Sequence, residues 1–213
     1  MSAGVLEEIV AGHLRGIPRM NVEQFERYMS SGLAGENVRC ELLDGYPILR
    51  NCAATGDNPM IMGARHTFVV DAMNSYLARY LAGSIWSHKC QTPIELDDFN
   101  LLEPDLTIIR GRSIDYAPGY PRAEAIALII EVADSSLEAD RITKYEKYAR
   151  HGIPVYWIIN LRDQQLEIYE NPAAEQSAYL KSVILPANGT VKLGIAELSI
   201  QTLSVHNILE GTV

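Results

Sequence analysis

The sequence predicts a mixed α/β (α+β) fold in which a central mixed β-sheet is flanked by helices. The first observation is the segment 125–132, AIALIIEV, in which apolar residues do not alternate with polar ones. Such a run is expected for a central strand that is covered on both faces. The second is the segment 66–83, in which apolar side chains recur at helical spacing. The third is a pair of hairpin patterns, at 38–50 and 155–170.

The composition is that of an ordinary globular protein. The chain has 213 residues, of which 47% are hydrophobic and 21% charged, and this length allows one domain with a sizeable core. We predict an N-terminal arm at residues 1–20 and a single domain at 21–213. The formal charge of −9 argues against broad electrostatic binding to nucleic acid, although it leaves room for a local basic groove.

The cysteines and the N-terminal segment predict a cytoplasmic protein. Cys40, Cys52 and Cys90 form no CxxC pair and cannot all pair within one chain, which favours a reducing compartment. Charged residues interrupt the first twenty positions, which therefore resemble neither a signal peptide nor a membrane span. No later apolar run is long enough to cross a bilayer, and we expect no membrane partner.

The N-terminal part of the domain predicts a capped helix followed by a hairpin. Asn21 and Gln24 have the spacing of a helix start. Strands at 38–43 and 46–50 are separated by an Asp-Gly turn, which is a strong hairpin signal.

The middle of the chain predicts one long helix and several short strands. The helix covers 66–82, strands follow at 85–90 and 93–96, and a further strand at 105–109 is entered through a proline. Residues 111–123 are rich in glycine, proline and arginine, which indicates a loop.

After the unalternating strand, the sequence predicts a helix at 139–150, a buried strand at 155–160 and a hairpin to a strand at 165–170. We expect the strand at 155–160 to be a neighbour of those at 105–109 and 126–132. The C-terminal third contains two or three weaker strand patterns and a last short helix.

Two carboxylates stand at the ends of apolar strands. Asp105 begins one strand, and Glu131 lies near the end of another. Ionised groups in such places require partners, and a hard divalent cation such as Mg²⁺ or Mn²⁺ is one partner with the right chemistry. The alternative is that each carboxylate caps a neighbouring turn or pairs with an arginine.

Lys144 lies on the helix that follows Glu131. It is four residues from Asp140, and Tyr148 extends the same helical face. If this helix returns across the strand of Glu131, the lysine points at the acids, where it can stabilise charge on a phosphate. The alternative is an ordinary surface pair with Asp140, worth about 0.3 kcal/mol.

Several segments together resemble a large bacterial family of restriction-endonuclease-like proteins, abundant in cyanobacteria, within the PD-(D/E)XK nuclease superfamily. These segments are RCELLDGYPIL (39–49), EPDLTIIRG (103–111), LIIEVADSS (128–136) and DRITKYEKYARHGIPVYWIIN (140–160). The resemblance extends from about Val22 to Tyr169 and implies a restriction-endonuclease-like core.

The resemblance also implies a catalytic site. It assigns the metal ligands to Asp105 and Glu131, with Mg²⁺ or Mn²⁺ as the cofactor. The usual motif has a lysine two residues after Glu131, where this chain has Ala133. In this family a lysine on the following helix is thought to substitute, and Lys144 matches that position. Glu41 is the candidate for an additional acid.

Several further residues each have two alternative assignments. His66 either faces the same cleft or packs against a turn at the start of its helix. Arg110, Arg112, Arg141 and Lys147 either form a phosphate-binding rim or are solvated surface charges. The aromatic residues of the segment 155–159 are interpreted as sheet packing or as part of a dimer surface rather than as base-stacking groups.

The leading functional hypothesis is therefore a Mg²⁺-dependent endodeoxyribonuclease, a hydrolase that acts on phosphodiester bonds of DNA, expected to act as a homodimer. One alternative is a catalytically inactive module that binds DNA or protein through the same fold, and another is a structural or regulatory dimer. The hypotheses differ in one geometric expectation: for catalysis, Asp105, Glu131 and Lys144 must converge.

Overall fold

The computed structural model describes residues 18–34, 38–49, 63–196 and 198–213. The chain divides into two compact units. The first unit comprises Met1–Met62 with Glu95–Glu103, and the second comprises Gly63–Ile94 with Pro104–Val213. Most of the predicted arm at 1–20 lies outside the described residues, and a single domain at 21–213 stays a prediction.

The elements of the described residues are as follows in chain order. The helices are α1 (Val22–Ser30), α2 (Ala64–Tyr80), α3 (Leu137–Ala139), α4 (Tyr145–Arg150) and α5 (Val205–Leu209), and a π-helical turn (Asp140–Lys144) joins α3 to α4. The strands are β1 (Cys40–Leu43), β2 (Tyr46–Leu49), β3 (Trp86–Cys90), β4 (Ile94–Asp97), β5 (Asn100–Leu102), β6 (Leu106–Arg110), β7 (Ile126–Ala133), β8 (Val155–Asn160), β9 (Gln165–Ala173), β10 (Ala178–Pro186), β11 (Thr190–Leu193) and β12 (Gln201–Ser204).

In the first unit, the local signals of the sequence are confirmed. The Asn21 side chain accepts a hydrogen bond from the backbone N–H of Gln24, and the Gln24 side chain accepts one from the backbone N–H of Asn21. The hairpin of β1 and β2 turns at Asp44 and Gly45, both of which have positive φ. These strands form a four-stranded sheet in the order β2-β1-β5-β4. The hairpin prediction's last residue, Arg50, lies outside the described residues.

The second unit contains the mixed sheet that the sequence predicts. Its order in the described residues is β10-β9-β8-β7-β6-β3, with β7 and β8 parallel and the other neighbouring pairs antiparallel. The three strands expected to be neighbours are β6, β7 and β8, so that prediction is confirmed. Seven of the eight residues of β7 are buried, which agrees with the absence of alternation in its sequence.

Helices cover both faces of this sheet. On one face α2 and α5 contribute Val69, Met73 and Ile208 to the apolar core. On the other face the ring of Tyr148 from α4 makes an edge contact with the ring of Tyr156 from β8, at 5.0 Å between centroids. Trp157 and Tyr156 are both buried, which confirms their interpretation as sheet packing.

Two elements differ from the sequence prediction, and the first of them carries residues of the site. The helix predicted at 139–150 begins at Leu137 and contains the π-helical turn. The C-terminal third does contain three strands and the short helix α5, but β10 is not weak. It pairs along its length with β9, from Ala178↔Ala173 to Pro186↔Gln165, and it forms an edge of the main sheet.

Candidate active site

The antiparallel pairing of β6 and β7 brings Asp105 and Glu131 together. Asp105 directly precedes β6, and Leu106 lies opposite Ile130, so the start of β6 meets the end of β7. The backbone N–H of Asp105 donates to Oε2 of Glu131 at 3.3 Å. The backbone N–H of Val132 donates to Oδ2 of Asp105 at 2.9 Å. The two acids are therefore linked through the backbone of the strands that carry them.

Lys144 completes the convergence. Its Nζ lies 2.8 Å from Oε1 of Glu131 and 3.5 Å from Oδ1 of Asp140, and the residue is only 8% exposed. The hydroxyl of Tyr148 donates to the same Oε1 of Glu131 at 2.9 Å. The interpretation of Lys144 as an ordinary surface partner of Asp140 is wrong, because the lysine is buried against Glu131.

The π-helical turn explains why three residues at four-residue spacing all face the sheet. In an α-helix each four-residue step advances by about 40° around the axis, so Asp140 and Tyr148 would point about 80° apart. The backbone N–H of Tyr145 bonds to the carbonyl of Asp140, which is the i→i+5 pattern of a π-turn. This wider turn offsets the advance, so Asp140, Lys144 and Tyr148 all reach the region of Glu131.

His66, in the first turn of α2, contacts the Asp105 carboxylate. Its Nε2 lies 3.1 Å from Oδ2 of Asp105. Its Nδ1 is buried and has no hydrogen-bond partner among the residues that the structure describes. Gln91 lies on the other side, with Nε2 3.5 Å from Oδ1 of Asp105. Of the two placements that the sequence left open for His66, the structure shows the one beside the acids.

Asp105 is ionised at neutral pH. Burial raises the pKa of this carboxyl, but the hydrogen bond and charge of His66, the charge of Lys144 and the Val132 N–H together lower it to about 2. A buried carboxylate that stays charged can act as an oxygen ligand for a hard cation or as an acceptor for an oriented donor.

The carboxylates of Asp105 and Glu131 fit a divalent ion by their chemistry. Mg²⁺ is commonly held by one or two carboxylates, with waters and substrate phosphates as the remaining ligands. Within the described ranges, no group of three or more His, Cys, Asp and Glu side chains has an arrangement that could hold a metal. If a metal ion binds here, the described ranges would offer it these two carboxylates, and solvent or phosphate oxygens would complete the shell.

Glu41 belongs to the first unit. There it is 6% exposed, and its Oε1 accepts a hydrogen bond from the backbone N–H of Glu103 at 2.8 Å. Its participation in a metal site stays a prediction.

The three arginines of the predicted rim each have a partner in the chain. The guanidinium of Arg110 lies 6.0 Å from the ring of Trp86, and Arg112 pairs with Asp115 at 3.0 Å. Arg141 pairs with the buried carboxylate of Glu167 at 2.6 Å. Contact of these arginines with phosphates stays a prediction.

A second polar cluster lies on the same sheet face, and sequence reasoning did not single it out. Glu167 of β9 is 1% exposed and accepts two hydrogen bonds from Arg141, at 2.6 and 3.0 Å. Asn160, Gln165 and Tyr169 also donate to it, at 2.7 to 3.1 Å. The alternation of β9 indicates a solvent-facing glutamate, and only the helix above it makes this position buried.

This cluster predicts a specific pH dependence of stability. Burial raises the pKa of Glu167, but hydrogen bonds from Arg141 and Asn160 in particular outweigh it and leave the pKa below its usual value. Ionised Glu167 therefore stabilises the fold above its unfolded pKa of about 4.3, and this stabilisation is lost as the pH falls through the lower folded pKa. Among charged neighbours, Asp163 also contacts Arg141. We expect the free energy of unfolding, measured in urea, to fall less steeply with decreasing pH in Glu167→Gln than in the wild type. Parallel curves for the two proteins at acidic pH would contradict this expectation.

The sequence is similar to a family of known proteins. A model of the Uma2 family, described as "Putative restriction endonuclease", matches residues 22–205. Among curated proteins, none matches the sequence significantly.

One solved structure is similar over nearly the whole chain. It is a crystal structure of a protein from Anabaena variabilis described as a putative nuclease belonging to DUF820. The two share 16% sequence identity at a TM-score of 0.63, and the match covers 91% of this chain and 99% of that one. At this identity the likeness establishes the fold, which confirms the restriction-endonuclease-like core.

No helix in the described ranges is both long and apolar enough to span a membrane.

Proposed function

Since this chain belongs to the Uma2 family, described as "Putative restriction endonuclease", we propose that it is a metal-dependent endonuclease that hydrolyses phosphodiester bonds of DNA. The observation that supports the proposal is the convergence of Asp105, Glu131 and Lys144 at one end of the sheet. A pair of buried carboxylates with a buried lysine is a costly arrangement for stability alone. It is suited to hold a cation and to stabilise an anionic transition state.

The residues have distinct roles in this proposal. Asp105 and Glu131 would hold Mg²⁺ or Mn²⁺, which when bound supplies a Lewis acid and lowers the pKa of a water. Lys144 stabilises the negative charge that develops on the phosphate. His66 orients Asp105 through Oδ2, and Tyr148 orients Glu131 through Oε1. Glu41 is the proposed additional acid.

The proposed substrate is DNA, and the proposed assembly is a homodimer, because related nucleases usually act in pairs on duplexes. Arg110, Arg112, Arg141 and Lys147 are the proposed contacts to phosphates. The formal charge of −9 requires such contacts to be local.

The second candidate function is a catalytically inactive module that binds DNA or protein through the nuclease fold. The observation that favours it is Ala133, which stands where the usual motif has its lysine. The two functions differ in turnover, since an inactive module binds without cleaving.

A cleavage assay on mixed single-stranded and duplex DNA tests the proposal. We expect products with Mg²⁺ or Mn²⁺, none with EDTA, and none from Glu131→Gln, which keeps the shape of the side chain but removes its charge. Glu138→Gln changes an exposed acid of α3 and should remain as active as the wild type. Absence of cleavage by the wild type with either ion, or full activity of Glu131→Gln, would support the inactive module instead.

A further inference from the structure

Two carboxylates lie on one row of the main sheet. Glu131 of β7 is in register with Ile158 of β8, and Ile158 is in register with Glu167 of β9. Residues in register on adjacent strands point to the same face, so Glu131 and Glu167 face the same helical segment. Two strand spacings separate them, which is about 10 Å.

The helical segment above this row carries two cations that meet these carboxylates. Lys144 contacts Glu131 at 2.8 Å. Three residues earlier, Nε of Arg141 donates to Oε2 of Glu167 at 3.0 Å and its Nη2 donates to Oε1 at 2.6 Å. A bidentate guanidinium–carboxylate contact is among the strongest and most directional hydrogen-bonded pairs in proteins. It fixes both the distance and the rotation of the segment relative to the sheet.

Further contacts hold the same π-helical turn. The hydroxyl of Tyr156, which is fully buried, donates to the carbonyl of Asp140 at 3.1 Å. The hydroxyl of Ser136 donates to Oδ2 of Asp140 at 2.6 Å. The turn is thus attached to β8 and β9 immediately before Lys144, whereas the lysine itself has a flexible four-carbon side chain.

We propose that the Arg141–Glu167 pair positions Lys144 over Glu131. In this assignment Arg141 and Glu167 are positioning residues: they act on the reaction through the π-helical turn and not through contact with the substrate. Their effect on cleavage rests on the proposed nuclease function, but their effect on the placement of Lys144 does not. The guanidinium of Arg141 already donates to Glu167 and Asp163. Arg141 is therefore the least suited of the three rim arginines to bind a phosphate.

The geometry explains why such an anchor matters. This chain has Ala133 where the usual motif has a lysine, and a lysine two residues after Glu131 would be held by the strand itself. A lysine supplied by a helix depends on how the helix lies on the sheet. A misplacement of about 1 Å in a catalytic group can cost about a hundredfold in rate.

Acetylation of the metal-free protein tests the positioning directly. Lysine acetylation is followed by mass spectrometry in the wild type, Arg141→Met and Glu167→Gln. We expect Lys144 to react at least about tenfold faster in both variants, because local opening of the turn exposes its amine. Lys181 is exposed and should react at an unchanged rate.

Two further variants separate positioning from general loss of stability. Leu203→Ala weakens the core on the other face of the sheet and should leave Lys144 as protected as in the wild type. Arg162→Met removes an exposed arginine paired with Asp163 and should have no effect. If Arg141→Met does not fold, Arg141→Lys keeps the charge without the bidentate contact. Unchanged protection of Lys144 in folded Arg141 and Glu167 variants would overturn the proposal.

Kinetics provide the second measurement. If the wild type cleaves DNA, we expect Arg141→Met and Glu167→Gln each to lose about tenfold or more in kcat with KM nearly unchanged. The reason is that a misplaced Lys144 affects the transition state and not the bound substrate. A rise in KM alone would instead assign Arg141 to DNA contact and overturn the positioning role. A wild type that does not cleave would refute the nuclease function, while the acetylation result would still decide whether the pair positions Lys144.

Discussion

Lys144→Ala is expected to lower the rate of metal-dependent DNA cleavage by about a hundredfold or more, the size of effect seen when one preorganised electrostatic donor is removed. The reason is that Lys144 is the buried cation at the two acids, and a group that acts on developing phosphate charge contributes to kcat. DNA affinity should change little. Single-turnover cleavage with saturating Mn²⁺ measures the chemical step.

The same substitution should also reduce stability in the metal-free protein. Removal of Lys144 leaves Glu131 buried without its cation, and removing one partner of a buried ion pair typically costs about 3–5 kcal/mol. Folding of the variant must therefore be verified by circular dichroism at the assay temperature. Lys144→Met with Glu131→Gln removes both charges, so it should be more stable than Lys144→Ala while remaining inactive.

Two controls make the rate measurement decisive. Arg150→Ala removes an exposed cation of α4, and it should cleave at the wild-type rate. Lys144→Arg keeps the charge and should retain part of the activity. If folded Lys144→Ala cleaves DNA as the wild type does, a lysine moved from the strand to the helix plays no part in catalysis.

Elements with one local cause could be predicted from the sequence. The unalternating run of β7 requires cover on both faces, and this places it in the middle of a sheet. Asp105 and Glu131 could be singled out because each interrupts an apolar strand at its end. Their proximity follows once β6 and β7 are antiparallel neighbours, a pairing that sequence resemblance supported.

Features created by tertiary packing could not be predicted in this way. Glu167 lies in an alternating strand, whose polar positions normally face solvent, and it is buried only because the π-helical turn covers that face. Residue spacing does not distinguish the π-helical turn from an α-helix, since Asp140 and Lys144 share a face in an α-helix as well. Lys144 is buried because the helical segment covers this face of the sheet. The sequence does not show that cover, so it could not exclude an ordinary surface pair of Lys144 with Asp140.

The second large effect is expected on metal binding. Calorimetric titration with Mn²⁺ should show a site in the wild type, weaker binding in Asp105→Asn, and no measurable binding in Asp105→Asn with Glu131→Gln. The reason is that these two carboxylates supply the charged oxygens, and Asp105, with a pKa of about 2, is ionised at neutral pH.

Substitution of Lys144 should change Mn²⁺ affinity in a direction that a general loss of stability would not produce. Its ammonium competes with a cation for Glu131, so Lys144→Met should bind Mn²⁺ at least as tightly as the wild type while losing cleavage. Binding should also raise the free energy of unfolding by about 2.7 kcal/mol at an ion concentration of 100 times Kd. Glu138→Gln, which changes an exposed acid, should show the wild-type isotherm and the same stabilisation. Equal Mn²⁺ affinity in the wild type and the double variant would remove Asp105 and Glu131 from the metal site, and with them the reason for placing Lys144 in the catalytic step.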